Sequence, residues 1–355
     1  MIKVIEDLNS FLVKKEFTIK DCMSKIESNK KGLVIVVDKD KKLLGSLSDG
    51  DIRRAILGGV STDDTIENCF NNTPLFLSKN YGGSEAEDLF QKMKLNVIPV
   101  LDENGRIFKL LNWSIGINDY SEIGNFVVLM VGGLGSRLAP LTDDTPKPLL
   151  KVGDKPILET IFDRLKLFGF KNIILCTGYR HDDIRDFCGD GSRFGLNINY
   201  FKEEKRLGTI GAIKKLERLL NEPFLVMNGD LLTLLNYRHI LNYHKENHSH
   251  LTIGSTAYQM KVPYGVLEMD GIHIREVNEK PVYTFRVSGG IYVLDPRLLS
   301  YIPEDEYFDI TDLMAKALSN NNILAAFPIE EYWMDIGQHQ DYKKANLDYN
   351  NLFNM

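Results

Sequence analysis

The spacing of hydrophobic and polar residues changes character near the end of the first third of the chain. Before that point, short apolar runs come in pairs joined by a charged turn, at 32–48 and again at 96–112. After it, apolar runs at 125–131, 172–179 and 224–230 alternate with segments of helical periodicity. Strand, loop and helix in alternation predict a mostly parallel sheet wrapped by helices, which is an α/β fold.

The first part of the chain contains an internal repeat. When the segments 32–48 and 96–112 are aligned with each other, Asp38 aligns with Asp102. An amphipathic segment precedes each of them. One such unit cannot bury its apolar faces alone, so the two copies are predicted to pack as one α+β domain.

These patterns predict two domains and the linker between them. The predicted limits of the repeats are about 10–58 and 62–118, within a domain that covers residues 1–120. The linker is expected around 118–124, and the α/β domain is expected over 123–355. Two domains is also the natural expectation for a chain of 355 residues.

The amino-acid composition excludes some classes of binding partner. Lys and Arg total 43 and Asp and Glu total 49, so the formal net charge is −6. This charge argues against broad binding to nucleic acid or to an anionic membrane. The four cysteines are too sparse for a disulfide framework, and the N-terminal residues do not form a signal peptide. We therefore expect a cytoplasmic protein without a membrane span.

The strongest chemical signal is the glycine-rich segment 131–156, VGGLGSRLAPLTDDTPKPLLKVGDKP. Its glycines permit a close approach of the backbone to phosphate oxygens, and Arg137 adds a donor of bidentate hydrogen bonds. Lys147 stands between two prolines that restrict its backbone. Glycines alone would indicate only a tight turn between a strand and a helix. Together with the two cations they favour the binding of a triphosphate.

Two acidic residues are candidate metal ligands, although the sequence alone cannot pair them. Asp230 follows the apolar run 224–228, at a place where ligands bind in parallel sheets, and Asp335 lies in the late segment WMDIG. Each acid alone is compatible with an ordinary turn or strand end. Carboxylates beside phosphates are also the ligands that Mg²⁺ prefers.

These segments resemble the sugar-phosphate nucleotidyltransferase family. The segment 131–156 resembles its signature, EEKRLGTIGAI (203–213) its base-binding segment, VNEKP (277–281) its sugar-binding segment, and WMDIGQHQDY (333–342) its late metal-binding segment. The resemblance implies a Rossmann-like nucleotidyltransferase domain with a mixed, mostly parallel sheet. It also implies transfer of a nucleotidyl group to a sugar 1-phosphate, with release of pyrophosphate and with Mg²⁺ as cofactor.

The resemblance assigns a role to particular residues. It implies catalytic roles for Arg137, Lys147, Asp230 and Lys280. It implies nucleotide contacts from Gly132, Gly133, Gly135, Ser136, Gly178, Gly208 and Thr209. It implies sugar-phosphate contacts from Gly265, Glu279, Lys280 and Gly290, and metal binding by Asp230 and Asp335. The family usually has Asn-Ala-Gly where this chain has Ser288-Gly289-Gly290, which leaves the identity of the sugar open.

The repeat in the first domain resembles a pair of CBS domains, modules that often bind adenine nucleotides. Ser48 and Asp51 match the family's spacing of a hydroxyl and an acid that contact phosphate and ribose. The second copy has Asn112 and Ile115 at the equivalent positions, so at most one good site is expected. Ser48 is equally suited to cap the N-terminus of the helix that follows, and a pair that serves only dimerisation is an open alternative.

The fused domains resemble enzymes that activate sugars for surface glycans, including guanylyltransferases of the legionaminic acid pathway. We therefore expect GTP and glucosamine 1-phosphate or mannose 1-phosphate as substrates, and a homo-oligomer. The alternatives are a thymidylyl- or uridylyltransferase, or a nucleotide-sensing regulatory protein or scaffold with an inactive transferase domain. A cluster of His244, His248 and His250 is interpreted as a solvated helix end rather than a metal site.

Overall fold

The structure is a computed structural model that describes residues 2–82, 85–86, 89–90, 96–113 and 122–353. Contacts between Cα atoms divide the chain into two compact units, Met1–Ser121 and Glu122–Met355. Part of the amphipathic segment 84–93 and the expected linker at 118–121 lie outside the described residues. No helix within the described ranges is long and apolar enough to cross a membrane.

The described part of the N-terminal unit contains two small sheets and two complete helices. Its strands are β1 (Ile2–Ile5), β2 (Leu12–Val13), β3 (Leu33–Val37), β4 (Leu43–Ser48), β5 (Leu77–Ser78), β6 (Val97–Leu101) and β7 (Ile107–Trp113). The helices are α1 (Ile19–Asn29) and α2 (Asp49–Leu57). One sheet has the order β2-β3-β4 and the other the order β1-β7-β6-β5.

The two sheets share one local design. In each, a short strand runs parallel to a central strand that pairs antiparallel with the next one, and the register shifts at Val36/Val37 and again at Val100/Leu101. Asp38 Oδ1 accepts two backbone N–H bonds, and Asp102 Oδ1 accepts the equivalent pair. The alignment of these two acids that the sequence suggested is therefore an equivalence of turns.

The C-terminal unit is a mixed α/β layer structure. Its strands are β8 (Val127–Met130), β9 (Lys151–Val152), β10 (Lys155–Pro156), β11 (Asn172–Thr177), β12 (Asn197–Lys202), β13 (Phe224–Asn228), β14 (Leu231–Thr233), β15 (Leu251–Lys261), β16 (Gly265–Asp270), β17 (His273–Glu279), β18 (Val282–Leu294), β19 (Leu324–Pro328) and β20 (Trp333–Asp335). Its helices are α3 (Ile157–Leu167), α4 (His181–Cys188), α5 (Tyr237–Glu246), α6 (Ile310–Ser319) and α7 (His339–Leu352).

A seven-stranded sheet with the order β12-β11-β8-β13-β18-β15-β19 organises this unit. The strands β12, β11, β8 and β13 are parallel to one another, β18 is antiparallel to both of its neighbours, and β19 is parallel to β15. The predicted mixed, mostly parallel sheet is thus confirmed. Its central strands β8 and β13 are almost wholly buried, and the helix α3 has a buried apolar face that includes Ile157, Ile161 and Leu165.

The histidine cluster differs from its prediction. His244 lies on α5 and is buried, and its Nδ1 is 2.9 Å from Thr252 Oγ1 on β15. Burial lowers the pKa of His244 to about 4. The interpretation of this segment as a solvated helix end was therefore wrong for His244, because the helix turns this residue towards the sheet. No metal-binding cluster of three or more His, Cys, Asp or Glu is present among the residues that the structure describes.

The buried His244 predicts a loss of stability in acid. The pKa of His244 is 6.5 in the unfolded chain and about 4 in the folded chain. As the pH falls, the unfolded chain therefore binds a proton before the folded chain does. The stability gained from the neutral imidazole is complete above pH 6.5 and is lost as the pH falls towards 4. The loss amounts to about 3 kcal/mol.

Urea unfolding of wild type and of His244→Asn, measured across this pH range, tests the expectation. The free energy of unfolding of the wild type should fall more steeply with acidification than that of the variant. Equal slopes would show that His244 does not titrate as its burial implies.

Candidate active site

A cavity of about 430 Å³ lies at the carboxyl ends of β8 and β13. Its lining includes the glycine-rich loop and the ends of several other segments. The lining residues are Met130, Val131, Gly132, Gly133, Leu134, Gly135, Ser136, Arg137, Lys147, Pro148, Glu203, Arg206, Gly208, Thr209, Asn228, Gly229, Asp230, Tyr307, Asp309 and Gly337. Ligands bind at this edge of open α/β sheets. The cavity is therefore the candidate active site.

The glycines of the loop have different structural roles. A Cβ on Gly132 would stand 3.0 Å from the backbone nitrogen of Gly178, so these two predicted residues allow β8 and β11 to end close together. Gly135 has a φ of +66° and begins a short 3-10 helix, Ser136–Leu138. A Cβ on Gly133, by contrast, would meet no atom within 4 Å beyond its chain neighbours, so the backbone there faces open space. Among the three glycines of the loop, Gly133 thus has the most room for a ligand beside it.

Lys147 is paired with two acids. Its ammonium donates to Asp230 Oδ2 and lies 4.0 Å from Asp335 Oδ1. The Lys147 side chain is only 12% exposed, so water screens this attraction poorly. The structure thus brings together three predicted site residues that lie far apart in the sequence. Asp335 itself stands beside the cavity rather than on its lining.

Strand pairing explains why the two acids meet. The short strand β14 follows Asp230 and pairs antiparallel with β20, with Leu231 opposite Asp335. The amide of Ile336 also donates to the carbonyl of Asp230 at 3.1 Å. Main-chain hydrogen bonds therefore hold the backbones that carry the two carboxylates next to each other.

The two carboxylates fit a divalent cation. Asp230 Oδ1 is buried and has no hydrogen-bond partner, although its other oxygen is paired with Lys147. Burial and the charge of Asp230 raise the pKa of Asp335, while Lys147 and Arg137 act in the opposite direction. A buried carboxylate oxygen without a partner, beside a second carboxylate, is what a hard cation would satisfy, and Mg²⁺ commonly uses one or two carboxylates plus substrate phosphates.

The predicted base-binding segment forms one side of the cavity. Gly208 has a φ of +80°, and a Cβ there would stand 2.5 Å from the carbonyl oxygen of Phe308. The amide and hydroxyl of Thr209 both donate to Asp309 Oδ1, at 2.9 and 3.1 Å. The Thr209 hydroxyl also accepts from the amide of Ile310. The hydrogen bonds of Thr209 thus position Asp309. The lack of a side chain at Gly208 allows its backbone to lie close to residues 307–309.

The predicted sugar-phosphate residues are not part of the cavity lining. Gly265 and Glu279 are opposite each other at the base of the β16–β17 hairpin, and Lys280 Nζ is 3.6 Å from Glu279 Oε1. Both charged side chains are mostly exposed. Gly290 packs against the lining residue Asn228, because a Cβ at Gly290 would be 2.8 Å from Asn228 Nδ2. The structure therefore assembles the nucleotide side of the predicted site but not its sugar side.

Sequence reasoning missed several lining residues. Glu203 and Arg206 belong to the predicted base-binding segment, but no role was given to them. The position of Glu203 directly after β12, at the carboxyl edge of the sheet, is a signal that could have found it. Burial raises the pKa of the Glu203 carboxyl. Tyr307, which donates to Asp309 Oδ2 at 2.9 Å, carries no local signal because it lies in an irregular segment.

The candidate ligand residues of the N-terminal unit form a helix cap. Ser48 Oγ accepts from the amide of Asp51, and Asp51 Oδ2 accepts from the amide of Ser48 at 2.9 Å. These two bonds are a capping box at the start of α2. The capping alternative is therefore realised, and a ligand role for Ser48 and Asp51 stays a prediction. Ile115 lies outside the described residues, while Asn112 Oδ1 is buried without a hydrogen-bond partner.

Two family models match the chain. The model described as nucleotidyl transferase covers residues 126–351, and the model of the CBS domain covers residues 5–58. The second copy of the repeat, at about 62–118, is not included in the CBS match. Its assignment as a CBS domain stays a prediction.

Similar proteins agree with the first match. A mannose-1-phosphate guanyltransferase of Yarrowia lipolytica is 33% identical over 236 residues, which are 62% of this chain and 63% of that protein. The enzyme of the same name from Schizosaccharomyces pombe is 32% identical over 228 residues, 61% of each chain. This chain thus spans less than two thirds of the length of these relatives.

Two solved structures are also similar. A protein of Bacillus anthracis, to which a glucose-1-phosphate thymidylyltransferase activity is ascribed, was solved with sucrose; it has a TM-score of 0.52 at 27% identity and covers 63% of this chain and 94% of its own. HddC from Yersinia pseudotuberculosis, complexed with GMP-PN, has a TM-score of 0.50 at 28% identity. The match covers 63% of this chain and 99% of the HddC chain. From residue 126 to residue 351, the chain is a member of the nucleotidyl transferase family, and a CBS domain precedes that part.

Proposed function

We propose that this protein is a sugar-1-phosphate nucleotidyltransferase, which joins a sugar 1-phosphate to a nucleoside triphosphate and releases pyrophosphate. The observation that carries the proposal is the group of Lys147, Asp230 and Asp335 beside an open glycine loop. A cation beside two acids, next to a loop that faces open space at Gly133, is suited to a charged phosphate chain and its metal. The names of the relatives support the same reaction class.

The protein's own part in the reaction is positioning and neutralisation of charge. An oxygen of the sugar 1-phosphate attacks the α-phosphorus, and pyrophosphate leaves in line with it, so no protein nucleophile is needed. Amides of the loop at Gly133 bind phosphate oxygens, and Arg137 and Lys147 offset their charge. Asp230 and Asp335 would hold Mg²⁺, which supplies electrostatic stabilisation of the phosphates. Glu279 and Lys280 are assigned to the sugar hydroxyls and to the sugar phosphate.

Guanine is the proposed base. Relatives at 33% and 32% identity are named mannose-1-phosphate guanyltransferases, and a structural neighbour was solved with GMP-PN. The proposed substrates are therefore GTP and glucosamine 1-phosphate or mannose 1-phosphate. The activity ascribed to the Bacillus anthracis protein makes a thymidylyltransferase the second candidate.

The remaining parts of the proposal concern context. The product would be an activated sugar for surface glycans such as those built from legionaminic acid, made in the cytoplasm by a homo-oligomer. The N-terminal unit would bind an adenine nucleotide and regulate the transferase, or would serve dimerisation alone. A regulatory protein with an inactive transferase domain is the competing hypothesis, and the retained group of Lys147, Asp230 and Asp335 argues against it.

Pyrophosphate release tests the reaction class and the base together. The full chain is incubated with Mg²⁺, each of GTP, dTTP, UTP and CTP, and a panel of sugar 1-phosphates. We expect release with GTP and an amino sugar or mannose phosphate, and none after chelation of the metal. A preference for dTTP would replace guanine by thymine, and inactivity across the whole panel would favour the regulatory hypothesis.

Replacement of Lys147 by Met should have two opposite effects. Activity should fall by about 10²–10³-fold, the range for loss of one group that stabilises developing charge. Binding of Mn²⁺ without nucleotide, followed by electron paramagnetic resonance, should become roughly tenfold tighter because a cation next to both acids is gone. Lys155→Met is the matched control, since Lys155 pairs with Asp163 at 2.7 Å on the surface. Unchanged Mn²⁺ affinity would contradict the pairing.

Removal of the acids should act through the metal. Asp230→Asn and Asp335→Asn should each weaken Mn²⁺ binding, and higher Mg²⁺ should restore part of the activity. Asp163→Asn removes an exposed acid of the same type and should change neither property. If the two site variants lost activity but bound Mn²⁺ as the wild type does, these acids would not be its ligands.

A further inference from the structure

The glycine-rich segment 131–156 is long for a connection in an α/β domain. It leaves the main sheet at the end of β8 and enters α3, and its regular structure consists of two one-turn 3-10 helices and of β9 and β10, which pair with each other. Arg137 lies in the first 3-10 helix and Lys147 in the second. Ordering so long a segment costs conformational entropy, so its position depends on contacts with other elements.

One face of α7 is bonded to the main chain of this segment. Four side chains are spaced three or four residues apart and therefore lie on one side of the helix, namely His339, Tyr342, Asn346 and Tyr349. The Nε2 atom of His339 lies 2.9 Å from the carbonyl oxygen of Ala139, and it is the donor because a carbonyl can only accept. The hydroxyl of Tyr342 donates to the carbonyl of Lys151 at 2.6 Å.

The other two side chains contact the turn between β9 and β10. Asn346 Oδ1 accepts from the amide of Gly153 at 3.0 Å. Gly153 has a φ of +64°, and a Cβ there would stand 2.1 Å from Cδ1 of Tyr349, which is only 2% exposed. The ring of Tyr349 therefore lies against the backbone of Gly153. This face of α7 thus contacts the glycine-rich segment at points shortly after Arg137 and shortly after Lys147.

The same stretch of chain also carries Asp335. Three residues separate Asp335, the last residue of β20, from His339, the first residue of α7. Between them lies Gly337, which lines the cavity. A Cβ on Gly337 would be 3.7 Å from Asp335 Oδ1 and 3.9 Å from Arg137 Nη1, so the two opposite charges approach each other there. The contact of α7 with the glycine-rich segment therefore sets where its cations stand relative to Asp335.

We propose that this face of α7 is a clasp for the glycine-rich segment, and that His339 and Tyr342 are positioning residues for the transfer reaction. They act through the main chain, because they hold carbonyl groups that follow Arg137 and Lys147 in the sequence. Stabilisation of developing charge on a phosphate requires cations that are already in place. The part in catalysis rests on the proposed function, whereas the holding of the segment does not.

Hydrogen exchange tests whether the clasp holds the segment. His339→Met removes the donor, whereas His339→Gln keeps an N–H the same number of bonds from the backbone. The amides of Leu138 and Leu149 donate within the two 3-10 helices and report on opening of the segment. They should exchange roughly fivefold faster in His339→Met and in Tyr342→Phe, the factor for one net hydrogen bond, and at the wild-type rate in His339→Gln.

Two controls accompany this measurement. Gln340→Met changes an exposed neighbour in the same turn of α7 and should leave the exchange unchanged. The amides of β11 should exchange at the wild-type rate in every variant. Wild-type exchange at Leu138 and Leu149 in both His339→Met and Tyr342→Phe would overturn the clasp. Equal acceleration in β11 would overturn it too, because it would show a general loss of stability.

Steady-state kinetics of pyrophosphate release test the part in catalysis. The double variant His339→Met, Tyr342→Phe should lower kcat roughly tenfold and change the KM for the triphosphate less than about twofold. A flexible triphosphate can follow a displaced segment in the ground state, but in-line attack requires the cations in place. His339→Gln should retain the kcat of the wild type. A raised KM with an unchanged kcat would overturn the positioning role.

The two measurements separate the failures. A wild type that releases no pyrophosphate with any substrate would refute the proposed function and with it the catalytic role of His339 and Tyr342. The exchange rates would still show whether the clasp holds the segment. If exchange at Leu138 and Leu149 were accelerated in an active enzyme whose kcat did not change, the contacts would be structural and the positioning role would be refuted.

Discussion

The candidate site depends on two carboxylates that the backbone forces together. Asp230 and Asp335 are held by the antiparallel pairing of β14 with β20, whatever the charges on their side chains. Two acids so placed repel each other, which contributes to the raised pKa of Asp335. A cation must therefore stand beside them, and Lys147 occupies that place. Under the proposed function, the oxygens of a triphosphate would pair with Lys147, and the two acids would then be available to Mg²⁺.

The glycine-rich side of the cavity could be predicted from the sequence because its signals are local. The loop glycines, Arg137 and Lys147 lie within one short segment, and all of them line the cavity. The pairing of Asp230 with Asp335 could not be derived from local pattern, since strands of three residues carry almost no periodicity. There the family resemblance supplied the pairing. Tyr307 and Asp309 were missed because an irregular segment brings them to the cavity.

The fold was predicted correctly where hydrophobic runs are long or repeated. The runs that became β8, β11 and β13 are buried on both faces, and the equivalence of Asp38 and Asp102 was visible as a repeat. His244 shows where local pattern fails, because its neighbours in the sequence are polar while its own side chain points at β15. Burial of one residue on a short helix is decided by packing between elements, which a local pattern does not contain.

The two sides of the candidate site are built from elements of different stability. Loop and metal residues stand at the edge of a sheet whose strands are buried and paired on both sides. Gly265, Glu279 and Lys280 stand at the base of a two-stranded ribbon whose apolar face is exposed. Order in such a ribbon comes from whatever covers that face. The glycine-rich side of the site is therefore held by the main sheet, whereas the residues predicted to bind the sugar phosphate stand on a ribbon of only two strands.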